Sequence, residues 1–233
     1  MLNKLKKELE KIADANHAKM SQKFFKTRKG EYGGGDTFLG IRVPTQRQIA
    51  KSFYKLDLNS IQELLNSKIH EHRSISLVIL LNQYKKADEQ QKQNIFEFYI
   101  KNAKKINNWD LVDSSAPHIL GDYLLNKNRD ILYQLTKSNN LWEKRIAIIS
   151  TYTFIKNNEF ADTLKISEML LSDSHDLIHK AVGWMLREIG KRNQKIEEEF
   201  LKKYYKQMPR TMLRYAIEKF PEDLRKKYLI GGV

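Results

Sequence analysis

The chain has 233 residues, with 42 Lys and Arg against 28 Asp and Glu. The resulting formal net charge of +14 makes a polyanion its leading class of partner, nucleic acid first and an acidic membrane surface second. It has no cysteine, which closes disulfide frameworks, thiolate zinc sites and cysteine nucleophiles. Without an apolar leader, a membrane-spanning run or a Pro/Ser/Gly-rich linker, residues 1–233 read as one continuous, soluble, cytoplasmic body with no membrane partner.

In chain order, Leu2, Leu5, Leu9 and Ile12 recur at helical spacing and predict a first helix. Residues 26–43 gather Gly30, Gly33, Gly34, Gly35 and Gly40 ahead of Pro44, so they read as a loop feeding the first turn of the next helix. Arg42 and Arg47 flank that proline and are candidates for phosphate contact, because a helix N-terminus and a basic side chain both favour anions. A solvated helix end explains them equally well.

Similar helical segments then return roughly every 35 residues. Residues 72–84, 109–120, 144–155 and 179–189 each carry an apolar face behind a polar start, and Arg73, Arg145 and Lys180 stand near the head of three of them. More polar amphipathic stretches, 89–103 and 159–171, alternate with these. The pattern predicts an all-α solenoid of HEAT-type helix pairs, whose inner helices line one concave surface where basic residues would cradle a duplex. Solenoids also serve as protein-interaction scaffolds, so the fold alone leaves the function open.

Trp109 and Asp113 in WDLVD are four apart and share a helical face, as do Trp184 and Arg187, three apart in GWMLRE about two periods downstream. Arg145 lies in the intervening repeat. If the period holds, the two aromatics, the carboxylate and the arginines converge on the concave side. Taken singly, each has a plainer reading: a Trp on an apolar face is usually core, and an Asp or Arg is usually a solvated surface group. Trp142, at the start of its helix beside Leu141, reads as packing between repeats.

Such a set suits one chemistry. A purine alkylated at N3 or N7 is already cationic and leaves without a general acid, so catalysis reduces to stabilising the positive charge that develops on the deoxyribose and to orienting water. A carboxylate such as Asp113 does both. Indole faces attract cations, which suits Trp109 and Trp184 to the base or its sugar, while Arg145 and Arg187 would grip adjacent phosphates. Lys180, Lys191 and the basic runs at 127–129, 191–192 and 202–203 are further candidates for backbone contact, against the usual reading of such runs as solvated faces.

His175 and His179 stand four apart, a spacing that suits two imidazoles on one metal. No HExxH glutamate or third ligand accompanies them, and a helix start rich in Asp173, Ser174 and Asp176 explains the stretch, so no metal is expected. Nothing resembles a serine-nucleophile elbow, a phosphate-binding glycine loop or a dinucleotide fingerprint.

WDLVD, LWEKRIA, HKAVGWMLREIG, RTMLRYAIEKF and FLGIRVP together resemble the AlkD-type DNA glycosylases over nearly the whole chain, in the family's order and spacing. The resemblance implies a HEAT-like solenoid that binds duplex DNA carrying alkylated purines and excises N3- and N7-alkylated bases to leave an abasic site. It implies no cofactor, no obligate protein partner, and no deep pocket for a flipped base. By the family's pattern Asp113 matches the catalytic carboxylate, Trp109 and Trp184 the two tryptophans against the damaged nucleotide, and Arg145 the arginine beside them. The segment GEYGGGDT is longer and richer in glycine than in the family. Two other readings stay open: a noncatalytic solenoid that binds damaged or distorted DNA, and a protein scaffold.

Overall fold

A computed structural model describes residues 1–233 and consists of helices joined by short connections, with a lone bridge between Thr37 and Ile69 as its extended pairing. Side-chain caps fix many of the helix starts. Asp14, Asp57, Asp88, Asn140 and Asn193 each accept a backbone N–H of the first turn, and Asp88 and Gln91 form a reciprocal capping box. Pro44 occupies the first turn of its helix, as its sequence position predicts.

The chain divides into two compact units, residues 1–115 and 116–233. The first holds α1 (Leu2–Lys11), α2 (Ala15–Phe24), α3 (Val43–Ser52), α4 (Leu58–Leu65), α5 (His70–Tyr84), α6 (Glu89–Lys101) and all but the last residue of α7 (Trp109–Ala116). At its centre α5 packs against α3, α4 and α6, and its buried Ile75, Leu77, Ile79 and Leu80 form the core there. Burial of that apolar surface is what holds the unit together, at about 25 cal/mol per Å² removed from water.

The second unit holds α8 (Asp130–Thr136), α9 (Leu141–Ser150), α10 (Tyr152–Lys156), α11 (Ala161–Met169), α12 (Asp176–Gly190), α13 (Gln194–Tyr204), α14 (Arg210–Ala216) and α15 (Glu222–Ile230). Here α12 is central, with α9 and α14 against it. Trp142 is buried within this unit. The helices α5, α7, α9, α12 and α14 begin at His70, Trp109, Leu141, Asp176 and Arg210, a recurrence of about 35 residues.

Two segments expected as single helices are interrupted. α7 passes at Pro117 into one wide turn over Pro117–Gly121, because proline has no N–H with which to continue the ladder. α9 and α10 part at Thr151, where Ser150 Oγ bonds the Ile146 carbonyl and Thr151 Oγ1 bonds the Ile148 carbonyl, the back-bonding that bends helices.

Gly183 shows why α12 and α14 approach so closely. A Cβ there would stand 2.4 Å from the Met212 carbonyl oxygen and 2.5 Å from Tyr215 Cβ, so backbone would have to move. Gly183→Ala is therefore expected to destabilise the protein by about 1–3 kcal/mol, the usual range for overpacking, read as a lower Tm in thermal denaturation. An unchanged Tm would show that the two helices separate freely.

Glu197 on α13 is buried with Oε1 unpartnered, and burial first, then the Glu198 charge, push its pKa up to about 9 against the pull of Arg187. It keeps its proton in the folded state where the unfolded chain has lost it. Stability is thus lost as pH rises from about 4.5 towards 9. Glu197→Gln is expected to raise unfolding free energy at pH 8 by about 1–3 kcal/mol and to flatten this slope. Urea melts at pH 5 and 8 check it, and a variant no more stable than the parent at pH 8 counts against it.

Candidate active site

Trp109 opens α7, its N–H donating to Oδ1 of the buried Asn108 at 2.8 Å. Its indole is half-buried, with two phenylalanines against it and a third behind them. Phe25 stacks on it at 5.5 Å with 25° between planes, and Phe24, 65% exposed, meets it edge-on at 5.8 Å. Phe25 in turn stacks on Phe38 at 5.3 Å. His70, the first residue of α5, lies against Phe25 and Phe38 at 4.8 and 4.7 Å.

Polar bonds lock the edge of this cluster. His70 Nε2 is 2.8 Å from Asp110 Oδ2 in the first turn of α7, and its Nδ1 is 3.7 Å from Asp36 Oδ2. Asp36 also accepts from Arg73 Nη2 at 2.5 Å, and Arg73 Nη1 donates to the Ser67 carbonyl. Burial works to lower the His70 pKa, but the hydrogen bond to Asp110 and the nearby Asp36 carboxylate overcome it and raise the value to about 9, so the ring is an imidazolium at neutral pH.

The glycine-rich loop delivers Asp36 and Phe38 to this cluster. Glu71, buried on α5, accepts the backbone N–H groups of Leu39, Gly40 and Ile41 at 3.0, 2.8 and 3.2 Å. Thr37 bonds to Lys68 and His70 through its backbone. Gly40 has φ of +83°, and a Cβ there would lie 2.1 Å from the Asp14 carbonyl oxygen, so only glycine fits.

One turn along α7 from Trp109, Asp113 is partly exposed. Its charge reaches the Tyr99 hydroxyl on α6. Burial, and then this charge, raise the Tyr99 pKa against the opposing hydrogen bond with Ser115. Within the first unit the structure thus puts Trp109 and Asp113 on one helix, one turn apart, with the indole stacked on Phe25 and Asp113 partly exposed.

Within the second unit, Trp184 on α12 is half-buried, tilted against Tyr152 at 6.1 Å, and donates its indole N–H to Glu188 Oε1 at 3.0 Å. Glu188 also accepts from Lys191 Nζ at 2.6 Å. Arg187 pairs with Glu218, and Lys180 with Asp176 at 2.7 Å, one helical turn away.

Arg145 is 4% exposed and donates from Nη1 to the Leu177 carbonyl, so in this structure it ties α9 to the first turn of α12. Arg42 and Arg47 are exposed at the start of α3. Arg129, from the basic run at 127–129, is folded inward: it bonds Asp162 and Glu159 at 2.6 Å each and lies 3.9 Å over the Phe154 ring.

The two histidines of the second unit serve the start of α12. His175 is its N-cap, accepting from the Leu177 N–H through Nδ1, and His179 Nε2 lies 2.5 Å from the Asp173 carbonyl oxygen. No group of three or more His, Asp or Glu side chains is placed to hold a metal ion. No helix is long and apolar enough to cross a membrane.

Phe24, Phe25 and His70 lie outside the motifs read from the sequence, and Phe38 and Asp110, inside FLGIRVP and WDLVD, had no role assigned to them. The available signal was the run His70, Glu71, His72, Arg73: four polar residues in the first turn of a helix whose middle, Leu77 to Leu81, is apolar, all four of which prove to be buried.

Compared with known proteins, residues 5–220 match the model of a family described as DNA alkylation repair enzyme. Among solved structures the chain is similar to one described as a predicted DNA alkylation repair enzyme from Enterococcus faecalis. The two are 16% identical with a TM-score of 0.70, over 90% of this chain and 97% of that one, a likeness of fold. No curated protein matches it in sequence.

Proposed function

Because the chain belongs to the DNA alkylation repair enzyme family, we propose that it is a DNA glycosylase that hydrolyses the N-glycosidic bond of cationic N3- and N7-alkylated purines in duplex DNA. The observation that carries this reading is the placing of Asp113, a partly exposed carboxylate, one helical turn from an indole that is braced by Phe25 and flanked by Phe24. In the reaction the C1′–N bond breaks, its electron pair goes to the cationic base, and the base leaves neutral. Positive charge grows on the deoxyribose and is stabilised by the Asp113 carboxylate. Water, oriented by the same carboxylate, adds to C1′ and gives up a proton, leaving the abasic sugar. Water is the only co-reactant this balance needs.

Trp109, stacked on Phe25, and Trp184, whose indole N–H is held by Glu188, each offer a ring face to DNA. The exposed Arg42 and Arg47 serve backbone phosphates, with Lys180, Arg187 and Lys191 available if their carboxylate partners Asp176, Glu218 and Glu188 yield to phosphate. Arg145 acts by holding the start of α12, which carries Trp184. In each unit the helix pairs stack as HEAT-type repeats, and the protein works as a monomer in the cytoplasm, without a cofactor or protein partner.

The test compares duplexes carrying one N7-methylguanine with matched duplexes carrying one neutral lesion, hypoxanthine. Release of the cationic base alone supports the reading. Salt-dependent binding to both with release of neither assigns the chain as a noncatalytic DNA-binding protein.

A further inference from the structure

His70 takes no part in the bond-breaking sequence, yet it is linked to Trp109 through the ring of Phe25, which lies against both. It is 3% exposed and stands between two carboxylates from different parts of the first unit, Asp110 on α7 and Asp36 on the glycine-rich loop, with Phe25 and Phe38 on its ring. Phe25 lies against both His70 and Trp109, and Asp110 is the residue next to Trp109 in the chain. A movement of the imidazole therefore reaches the indole by two routes, through the stacked ring and through the first turn of α7.

We propose that His70, acting through Asp110, Asp36 and Phe25, is a positioning residue that sets the angle of Trp109 and, along α7, the place of the Asp113 carboxylate. The inference deepens the glycosylase reading and rests on it. Every charged group that bears on the ring is accounted for: Asp110 from α7, Asp36 from the loop and Arg73 from α5, the last opposing protonation. As an imidazolium the ring donates to Asp110 from Nε2 at 2.8 Å and carries a second N–H, on Nδ1, on the side of Asp36, which is 3.7 Å away, an ion-pair contact longer than a hydrogen bond. On losing one proton it can serve only one of them, and the other faces a buried lone pair. The clamp between loop and α7 then loosens at one end.

Two readouts test this on the full chain. The first is the indole N–H resonance of Trp109, assigned by its loss in Trp109→Phe, followed from pH 7 to 10.5 by NMR. It is expected to shift with a midpoint near 9, the value to which His70 is raised, and the shift is expected to vanish in His70→Gln. The second is base release between pH 6.5 and 9.5, where His70→Gln is expected to lower kcat roughly tenfold or more with KM within about twofold, as a misplaced catalytic group does. The parent's kcat should fall towards pH 9, and the variant's should not.

A Trp109 resonance flat to pH 10.5 in the parent overturns the proposal, as does a His70→Gln chain with unchanged kcat. If the parent releases no base, the glycosylase reading fails, and the titration of Trp109 alone decides the positioning. If His70→Gln does not fold, Asp110→Asn takes its place and is expected to shift the midpoint downwards, because it removes the strongest favourable contact of the imidazolium.

Discussion

Asp113→Asn is expected to slow release of N7-methylguanine by about 10²–10³-fold at neutral pH, the range found when one electrostatic stabiliser of a transition state is removed. The substitution keeps the shape of the side chain and its place on α7 and removes only the charge. What is lost is stabilisation of the sugar cation and orientation of water, both of which belong to the transition state. Binding to undamaged or product DNA should be equal or tighter, because one negative charge near phosphate has gone. Single-turnover release together with salt-matched binding separates the two effects. A rate within about twofold of the parent would remove Asp113 from the chemistry, and an equal loss of rate and affinity would point to a folding defect.

Glu71→Ala is expected to cost about 3–5 kcal/mol of folding stability, the largest effect outside the reaction itself. One carboxylate, 2% exposed, receives three backbone N–H groups at the end of the glycine-rich loop. Removing it leaves those donors without an acceptor, at about 1–3 kcal/mol for each that stays dry. Water entering the vacated space sets the lower end of the range. Glu71→Gln keeps an acceptor oxygen and should cost clearly less. Urea unfolding of the three chains checks the order, and a loss under about 1 kcal/mol for Glu71→Ala would mean that the loop is held elsewhere. Because this loop carries Asp36 and Phe38 to His70, the alanine variant should also disturb Trp109 in any molecules that remain folded.

The positions of the helices were legible because they are written in local chemistry. The spacing of Leu2, Leu5 and Leu9, the caps at Asp88 and Asn140, and Pro44 at a helix start all act within a few residues. The breaks at Pro117 and Thr151 depend on how a bend is accommodated, and periodicity alone passed over them. Trp109 and Asp113 were legible as a pair because four residues is one helical turn.

The support beneath them was not legible, since it joins residues distant in sequence: Phe25, Asp36 and Phe38 to His70, and His70 to Asp110. The same limit applies to the cations. A sequence shows that Arg145, Arg187 and Arg129 are positive but not that they face Leu177, Glu218 and Asp162, which decides whether a guanidinium is at hand for phosphate or already engaged within the protein. The glycine-rich loop, read at first as a departure from the family pattern, proves to be the segment that delivers two of the residues behind Trp109.

The central claim is hydrolysis of the bond between deoxyribose and a cationic purine, and the most direct measurement counts both products from one duplex. A purified chain is mixed in excess with duplex DNA bearing a single N7-methylguanine, and free base and abasic strand are quantified over time against spontaneous depurination. The two are expected to appear together, in equal amounts and far above the spontaneous rate. Binding of the duplex with both products at the spontaneous level would contradict it.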